Sequence, residues 1–178
     1  MKSLKAQGFS FIEIMVTLSI AAVMISLAVP NLKTLALNNR RTAQKNEFVL
    51  AMAYARSEAM KRGVRVSVCA RATDTTCRTD VLWDNGWLVF VDNNADCIVN
   101  GANPADQVLQ IHPPLEGNTL RSGTRSCLIF QSNGFTTIGS RDSFVLSDSR
   151  GVAASTRVCV SQQGRVSIPQ TMKDLCPL

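Results

Sequence analysis

The chain has 178 residues, with 19 Lys and Arg against 13 Asp and Glu for a formal charge of +6, and six cysteines beside a single histidine. That length holds one domain of ordinary size plus a separate N-terminal segment, with enough chain left to build a core that disulfides support rather than replace. No two cysteines are spaced CxxC and His112 is the only imidazole, which excludes an ordinary structural zinc site, whose ligands come in closely spaced pairs.

The first thirty residues carry the clearest pattern. MKSLKAQG, residues 1–8, bears Lys2 and Lys5 and ends at Gly8; from Phe9 to Val29 the only formal charge is Glu13, and Pro30 follows. A helix rises about 1.5 Å per residue, so this run spans about 30 Å, the thickness of a bilayer's hydrocarbon core. It is too long for the apolar region of a secretory signal, and no A-x-A site follows it. Residues 1–8 therefore read as a leader cut on the cytoplasmic side, leaving the span in the mature protein. The two lysines orient the positive end inside and the body outside. A carboxylate within such a span is costly in lipid and demands a cation, which makes Glu13 a functional candidate.

Pro30 removes one helical hydrogen bond and crowds the preceding turn, predicting a kink or local melting there. Helical character resumes over 30–62, where Phe48 to Ala59 forms a stripe spaced to dock on a sheet. Lys61 and Arg62 suit the negative end of that helix, and Gly63 its C′ position. Lys33, Arg40, Arg41, Lys45, Arg56, Lys61 and Arg62 face only Glu47 and Glu58 in this region. The excess reads first as a solvated helix face, and second as a contact for headgroups, nucleic acid or an acidic partner.

After Gly63 short Val-, Ile- and Phe-rich runs predict strands at 64–70, 87–92, 107–112, 126–131, 143–148, 156–161 and 165–169, separated by Gly, Asn, Pro and Ser clusters. No helical pattern of useful length lies between them, so the sheet is expected to be mainly antiparallel. The predicted architecture is α+β: a long N-terminal α-helix, transmembrane in its first half, packed on a mainly antiparallel β-sheet head. Its parts are a leader at 1–8, a transmembrane helix at 9–29, a helical continuation at 30–62 and a β-rich head at 63–178.

The six cysteines, Cys69, Cys77, Cys97, Cys127, Cys159 and Cys176, all follow the span. An even number in that position suits an oxidising compartment and up to three bridges. Fifteen connectivities are possible; local pairing, Cys69–Cys77, Cys97–Cys127 and Cys159–Cys176, is the expectation. In the tract DNNADC, residues Asp92, Asn94 and Asp96 alternate like the first ligands of a calcium loop, but Cys97 replaces the expected glycine and no Glu follows at the twelfth position. An Asx-rich turn is the preferred reading, and no metal or cofactor is expected. Serine and cysteine nucleophiles need a neighbouring base, and His112 lies on a Pro-flanked strand end outside any catalytic motif, so an enzyme is not expected.

KAQGFSFIEIMVTLSIAAVMISLAVPNL resembles the N-terminus of type IV pilins and type II secretion pseudopilins: Gly8 before a Phe, Glu13 five residues after Gly8, the apolar run and Pro30. The tracts YARSEAMKRGVRVSVC, DNGWLVFVD and RGVAASTRVCVSQQGRVSI resemble the GspH/FimT group, which includes FimU-type minor pilins and H-type pseudopilins. The loops around 72–82, 93–106 and 113–124 lie outside the likeness. The resemblance implies cleavage after Gly8 and N-methylation of Phe9 by a prepilin peptidase, and pairing of Glu13 with the N-terminal amine of a neighbouring subunit. It implies a minor pilin of a bacterial type IV pilus that contributes to filament initiation and assembly and serves twitching or DNA uptake. Its partners would be other major and minor pilins and the inner-membrane assembly machinery. The chain would be held in the inner membrane with its head in the periplasm, and on the cell surface after assembly. Two alternatives stay open: an H-type pseudopilin of a type II secretion system, and a DNA-binding pilin for natural transformation. FimT-type members bind DNA through a C-terminal GRxR-like motif; the matching stretch here, Gly164-Arg165-Val166-Ser167, lacks the second arginine. Arg157, Arg150, Arg141 and Lys173 are the further cations available to such a patch, since phosphate affinity grows with the cations engaged. Aromatic side chains for base stacking are absent from this tail.

Overall fold

A computed structural model describes residues 8–99, 106–137 and 142–170, together with Cys176. The chain divides into two compact units, Met1–Arg40 and Arg41–Leu178. Helix α1, Phe11–Arg62, supplies the described secondary structure of the first unit and the opening element of the second. It continues through Pro30, so of the kink or local melting expected there the melting does not occur. Proline removes only one bond from a ladder that neighbouring turns keep intact. The bond lost is the one to the Ser26 carbonyl; the side chains of Asn31 and Thr34 donate to the neighbouring carbonyls of Leu27 and Pro30, each at 3.1 Å.

The second unit is built on two antiparallel sheets. The first joins β1 (Val66–Thr73), β2 (Thr76–Cys77), β3 (Trp87–Val91), β4 (Val108–Ile111) and β6 (Cys127–Phe130), with β1 paired to β2, β3 and β6. The second has the order β5 (Asn118–Ser122), β7 (Asp142–Asp148), β8 (Thr156–Val160), β9 (Val166–Ser167). Among the described residues every strand pairing is antiparallel, including β1–β6 and β5–β7, whose partners are not consecutive in the chain. Strands β2 and β5 lie in stretches the sequence reading treats as loops. NTLRS, the β5 segment, alternates with burial but holds a single aliphatic residue, Leu120, on its inner face, and its partner β7 is remote in sequence.

Both sheets bury their inner faces against the same helical stripe. Phe48, Ala51, Met52, Ala55 and Ala59 recur at helical spacing, and each is 2 % exposed or less. The small side chains at 51, 55 and 59 leave room for the sheet to approach the helix backbone. Phe48 sits at the junction: its ring is edge-on to Trp83 at 5.8 Å and to Trp87 at 5.2 Å, and tilted against Phe144 at 4.7 Å. Trp87 belongs to the first sheet, Phe144 to the second, and Trp83 to the segment between β2 and β3, so one ring joins three parts of the head. The outer face of the first sheet has its own small core of Cys69, Leu88 and Phe90, packed against Val99, Val108 and the cysteines Cys77 and Cys127. The three disulfides are Cys69–Cys77, Cys97–Cys127 and Cys159–Cys176, the local pairs expected from the sequence.

Because Phe48 has no solvent to fall back on, Phe48→Ala is expected to lower the unfolding free energy by about 3–5 kcal/mol. Leu50→Ala, on the exposed side of the same helix, is expected to change it by about 0.5 kcal/mol or less. Urea unfolding followed by tryptophan fluorescence compares the two.

Candidate assembly segment and basic sheet face

The N-terminal stretch presents almost nothing but apolar side chains: Phe9, Ile12, Leu18, Val23, Ile25 and Leu27 are all more than half exposed. The hydroxyls of Thr17, Ser19 and Ser26 are satisfied within the helix itself. Thr17 donates to the Ile14 carbonyl at 2.9 Å, Ser19 to Met15 at 2.8 Å and Ser26 to Val23 at 2.7 Å. Such back-bonding lets polar side chains sit in an apolar helix without an outside partner. Glu13 cannot be dealt with in this way. It lies in the first turn of α1, where the free N–H groups favour negative charge, and among the described residues no ion pair engages it. Gly8 has open space around the position a Cβ would take, so packing within the chain does not require a glycine there.

At the other end of the chain the register of the second sheet defines a face. Arg121 on β5 is opposite Val145 on β7, which is opposite Arg157 on β8. Directly opposed residues share a face, so two arginines flank Val145, with Thr119, Ser143, Ser147 and Ser167 on the same side. Strands lie about 4.8 Å apart, which puts the two arginine Cα atoms about 10 Å from each other. Arg121 escapes a reading based on the C-terminal tail, because only the β5–β7–β8 register brings it beside Arg157.

Arg165 is exposed in the turn between β8 and β9. The glycine before it is fixed by packing: Gly164 has φ of +70°, and a Cβ there would lie 2.2 Å from the Gly134 carbonyl. That carbonyl also accepts a hydrogen bond from Arg56 Nε at 3.0 Å, so the turn is seated against helix α1. Arg150, by contrast, is spent inside the head. Its guanidinium reaches the Asp148 carboxylate at 2.5 Å, and Arg41 approaches the same group at 3.7 Å, tying helix α1 to β7. Arg141 and Lys173 lie outside the described residues. Of the nominated cations that are described, Arg165 is exposed and Arg157 half-buried with its Nε shielded from solvent; the exposed Arg121 shares the sheet face with Arg157.

The remaining candidates are structural. Asp92 is fully buried; its carboxylate accepts from the Ser67 hydroxyl at 2.6 Å and from the backbone N–H groups of Asp96 and Cys97 at 3.2 and 3.1 Å. Asp96 in turn accepts from Asn94 and from the Ile98 N–H. The tract is an Asx-rich turn that closes over the first sheet. The His112 ring stacks on Trp87 at 3.7 Å, with one nitrogen 2.8 Å from the Pro113 carbonyl and the other 3.2 Å from Glu47, so both nitrogens have structural contacts.

The family model described as "Type II transport protein GspH" matches residues 44–164, and the one described as "Prokaryotic N-terminal methylation motif" matches residues 3–29. Two crystal structures of the type IV minor pilin FimU from Pseudomonas aeruginosa share the fold. One gives a TM-score of 0.57 at 19 % identity over 75 % of this chain and 95 % of FimU, the other 0.55 at 19 % over 72 % and 91 %. Curated protein sequences gave no significant match.

The Asp148 pairing has a pH signature. The Arg150 hydrogen bond holds its carboxyl below the usual range, at about 2. Its contribution is therefore complete above the ordinary carboxylate pKa of about 3.9 and is lost as pH falls through about 2. Asp148→Asn is expected to be clearly less stable than the parent chain at pH 7, with the gap closing as pH falls from about 4 toward 2, as read from urea midpoints across pH.

Proposed function

The chain belongs to the GspH family, and we propose that it is a minor pilin of a bacterial type IV pilus that helps to initiate and assemble the filament. The observation that carries this is Glu13. It is the single charge in a helix segment whose hydroxyls are otherwise satisfied internally, and it stands five residues after a glycine for which the fold has no packing use. A peptidase that cuts after Gly8 and methylates Phe9 leaves an N-terminal ammonium group at the depth where the carboxylate of a neighbouring subunit needs a cation. Two buried charges that meet in this way fix axial register, because a mismatch strands both in an apolar bundle. The segment serves first as an inner-membrane anchor, with the head in the periplasm, and then as the filament's packing surface. A subunit of a type II secretion filament would instead co-purify with secretion pseudopilins rather than with sheared pili.

A second reading, DNA as a ligand of the head, is favoured by one specific arrangement. Arg121 and Arg157 share the outward face of the second sheet, and Arg165 is held on a turn packed against the helix. Three cations on a rigid scaffold suit the backbone of a nucleic acid better than the single arginine of the Gly164–Ser167 stretch does.

Two outcomes follow. Glu13→Ala is expected to insert into the membrane at the parental level and to vanish from sheared filaments; normal incorporation would remove the register role. For DNA, each of Arg121→Ala, Arg157→Ala and Arg165→Ala is expected to weaken retardation in a gel shift irrespective of sequence. Each should also reduce the slope of log K against log salt by about 1. Retardation that ignores salt, or that survives the triple variant, sinks this reading.

A further inference from the structure

Two of the three disulfides lie side by side on the outer face of the first sheet. In the β1–β6 pairing Cys69 is directly opposite Cys127, yet Cys69 is bonded to Cys77 and Cys127 to Cys97. The Ala70 N–H donates to the Ser126 carbonyl at 2.8 Å, which makes 70 and 126 a hydrogen-bonded pair and 69 and 127 the neighbouring non-hydrogen-bonded pair. Such pairs have Cα atoms about 4.5 Å apart and side chains at their closest. This lies within the Cα range that a disulfide accepts, about 4.4–6.8 Å, and is no wider than the 5.7 and 6.2 Å of the two existing bridges. Cys69 and Cys127 could therefore be bridged without moving either strand.

The other two cysteines, Cys77 and Cys97, border a common pocket. Cys77, Cys97 and Cys127 line one pocket of about 340 Å³, whereas Cys69 is fully buried beneath it. The pocket thus opens three of the four half-cystines to a small nucleophile and shields the fourth.

We propose that these paired disulfides form a thiol–disulfide exchange site, which takes a small thiolate or the cysteine of a dithiol oxidoreductase and interconverts two connectivities within the folded head. The incoming thiolate attacks Cys97 Sγ, forming a mixed disulfide and releasing the Cys127 thiolate. Cys127 attacks Cys69 Sγ across the β1–β6 pair, forming Cys69–Cys127 and releasing the Cys77 thiolate. Cys77 then attacks Cys97 Sγ, forming Cys77–Cys97 and expelling the original thiolate. Each step exchanges one S–S bond for another through a thiolate, so no oxidant or reductant is consumed. The second connectivity bonds β1 to β6 directly and joins the 76–78 segment to the loop after Asp92. The first instead clips each of those segments to a strand.

Trypsin cuts after Arg71, Arg78 and Arg125, which separates the four cysteines into different peptides. The full-length chain in detergent micelles is incubated with a catalytic amount of reduced glutathione, trapped with N-ethylmaleimide and digested without reduction. The expected result is the appearance of the 69–127 and 77–97 peptide pairs beside the original pairs, with glutathione recovered and neither new pair seen when it is omitted. Only the original pairs and glutathione-capped peptides would overturn the proposal. Cys77→Ala/Cys97→Ala gives an independent arm: air oxidation is expected to join Cys69 to Cys127. Two free thiols in a variant with the parental circular dichroism spectrum would overturn it equally. Should that variant not fold, the trapping result on the unsubstituted chain decides alone.

Discussion

The packing of one phenylalanine ring organises the head. Phe48 lies where helix α1, the first sheet, the second sheet and the segment carrying Trp83 meet, and it is the aromatic member of the helix's buried stripe. The alanines that follow at 51, 55 and 59 fill less space, and this is what lets the sheets close over the helix. Aromatic pairs with edge-on geometry add to the burial term, and Trp83–Phe144 completes the cluster at 5.0 Å. The two sheets therefore need no long seam with each other. Each packs on the helix, and the aromatic cluster sets how they meet there.

Covalent bonds serve a different purpose in this head. The inner core is closed by ordinary packing, but the outer face of the first sheet lacks an element to cover Cys69, Leu88 and Phe90. The loop after Asp92 does it instead, anchored by the buried carboxylate of Asp92 at one end and by the Cys97–Cys127 bridge at the other. Disulfides here act as part of the lid on a small apolar layer. The third bridge, Cys159–Cys176, brings the end of the chain to β8.

What the sequence made legible follows from how locally each feature is encoded. The N-terminal motif was legible, because a glycine, a carboxylate and an apolar run at fixed spacing are all local. The seven Val- and Phe-rich strands were equally local signals. Strand β5 was not, since NTLRS acquires its meaning only by pairing with β7, and Arg121 went unnoticed for the same reason. Arg150 was taken for a free cation although Asp148 stands two residues before it; whether such a near pair closes depends on the turn at Gly151, which the residue types alone leave open. Pro30 was expected to kink or loosen the helix, but it costs the ladder one bond, the one to the Ser26 carbonyl, and the turns on either side carry the helix through.

The hydroxyl back-bonds of the first helical unit have a consequence for how a subunit changes surroundings. A helix that keeps its polar groups paired to its own carbonyls carries no hydrogen-bonding debt from one environment to the next. Lipid tails and the side chains of sister helices are then nearly equivalent solvents for it, and little free energy separates the two states along most of its length. The exception is the one carboxylate, whose solvation differs sharply between them. If the segment passes from lipid into a filament as proposed, that one carboxylate would govern the exchange, and the rest of the segment would act as a lubricant for it.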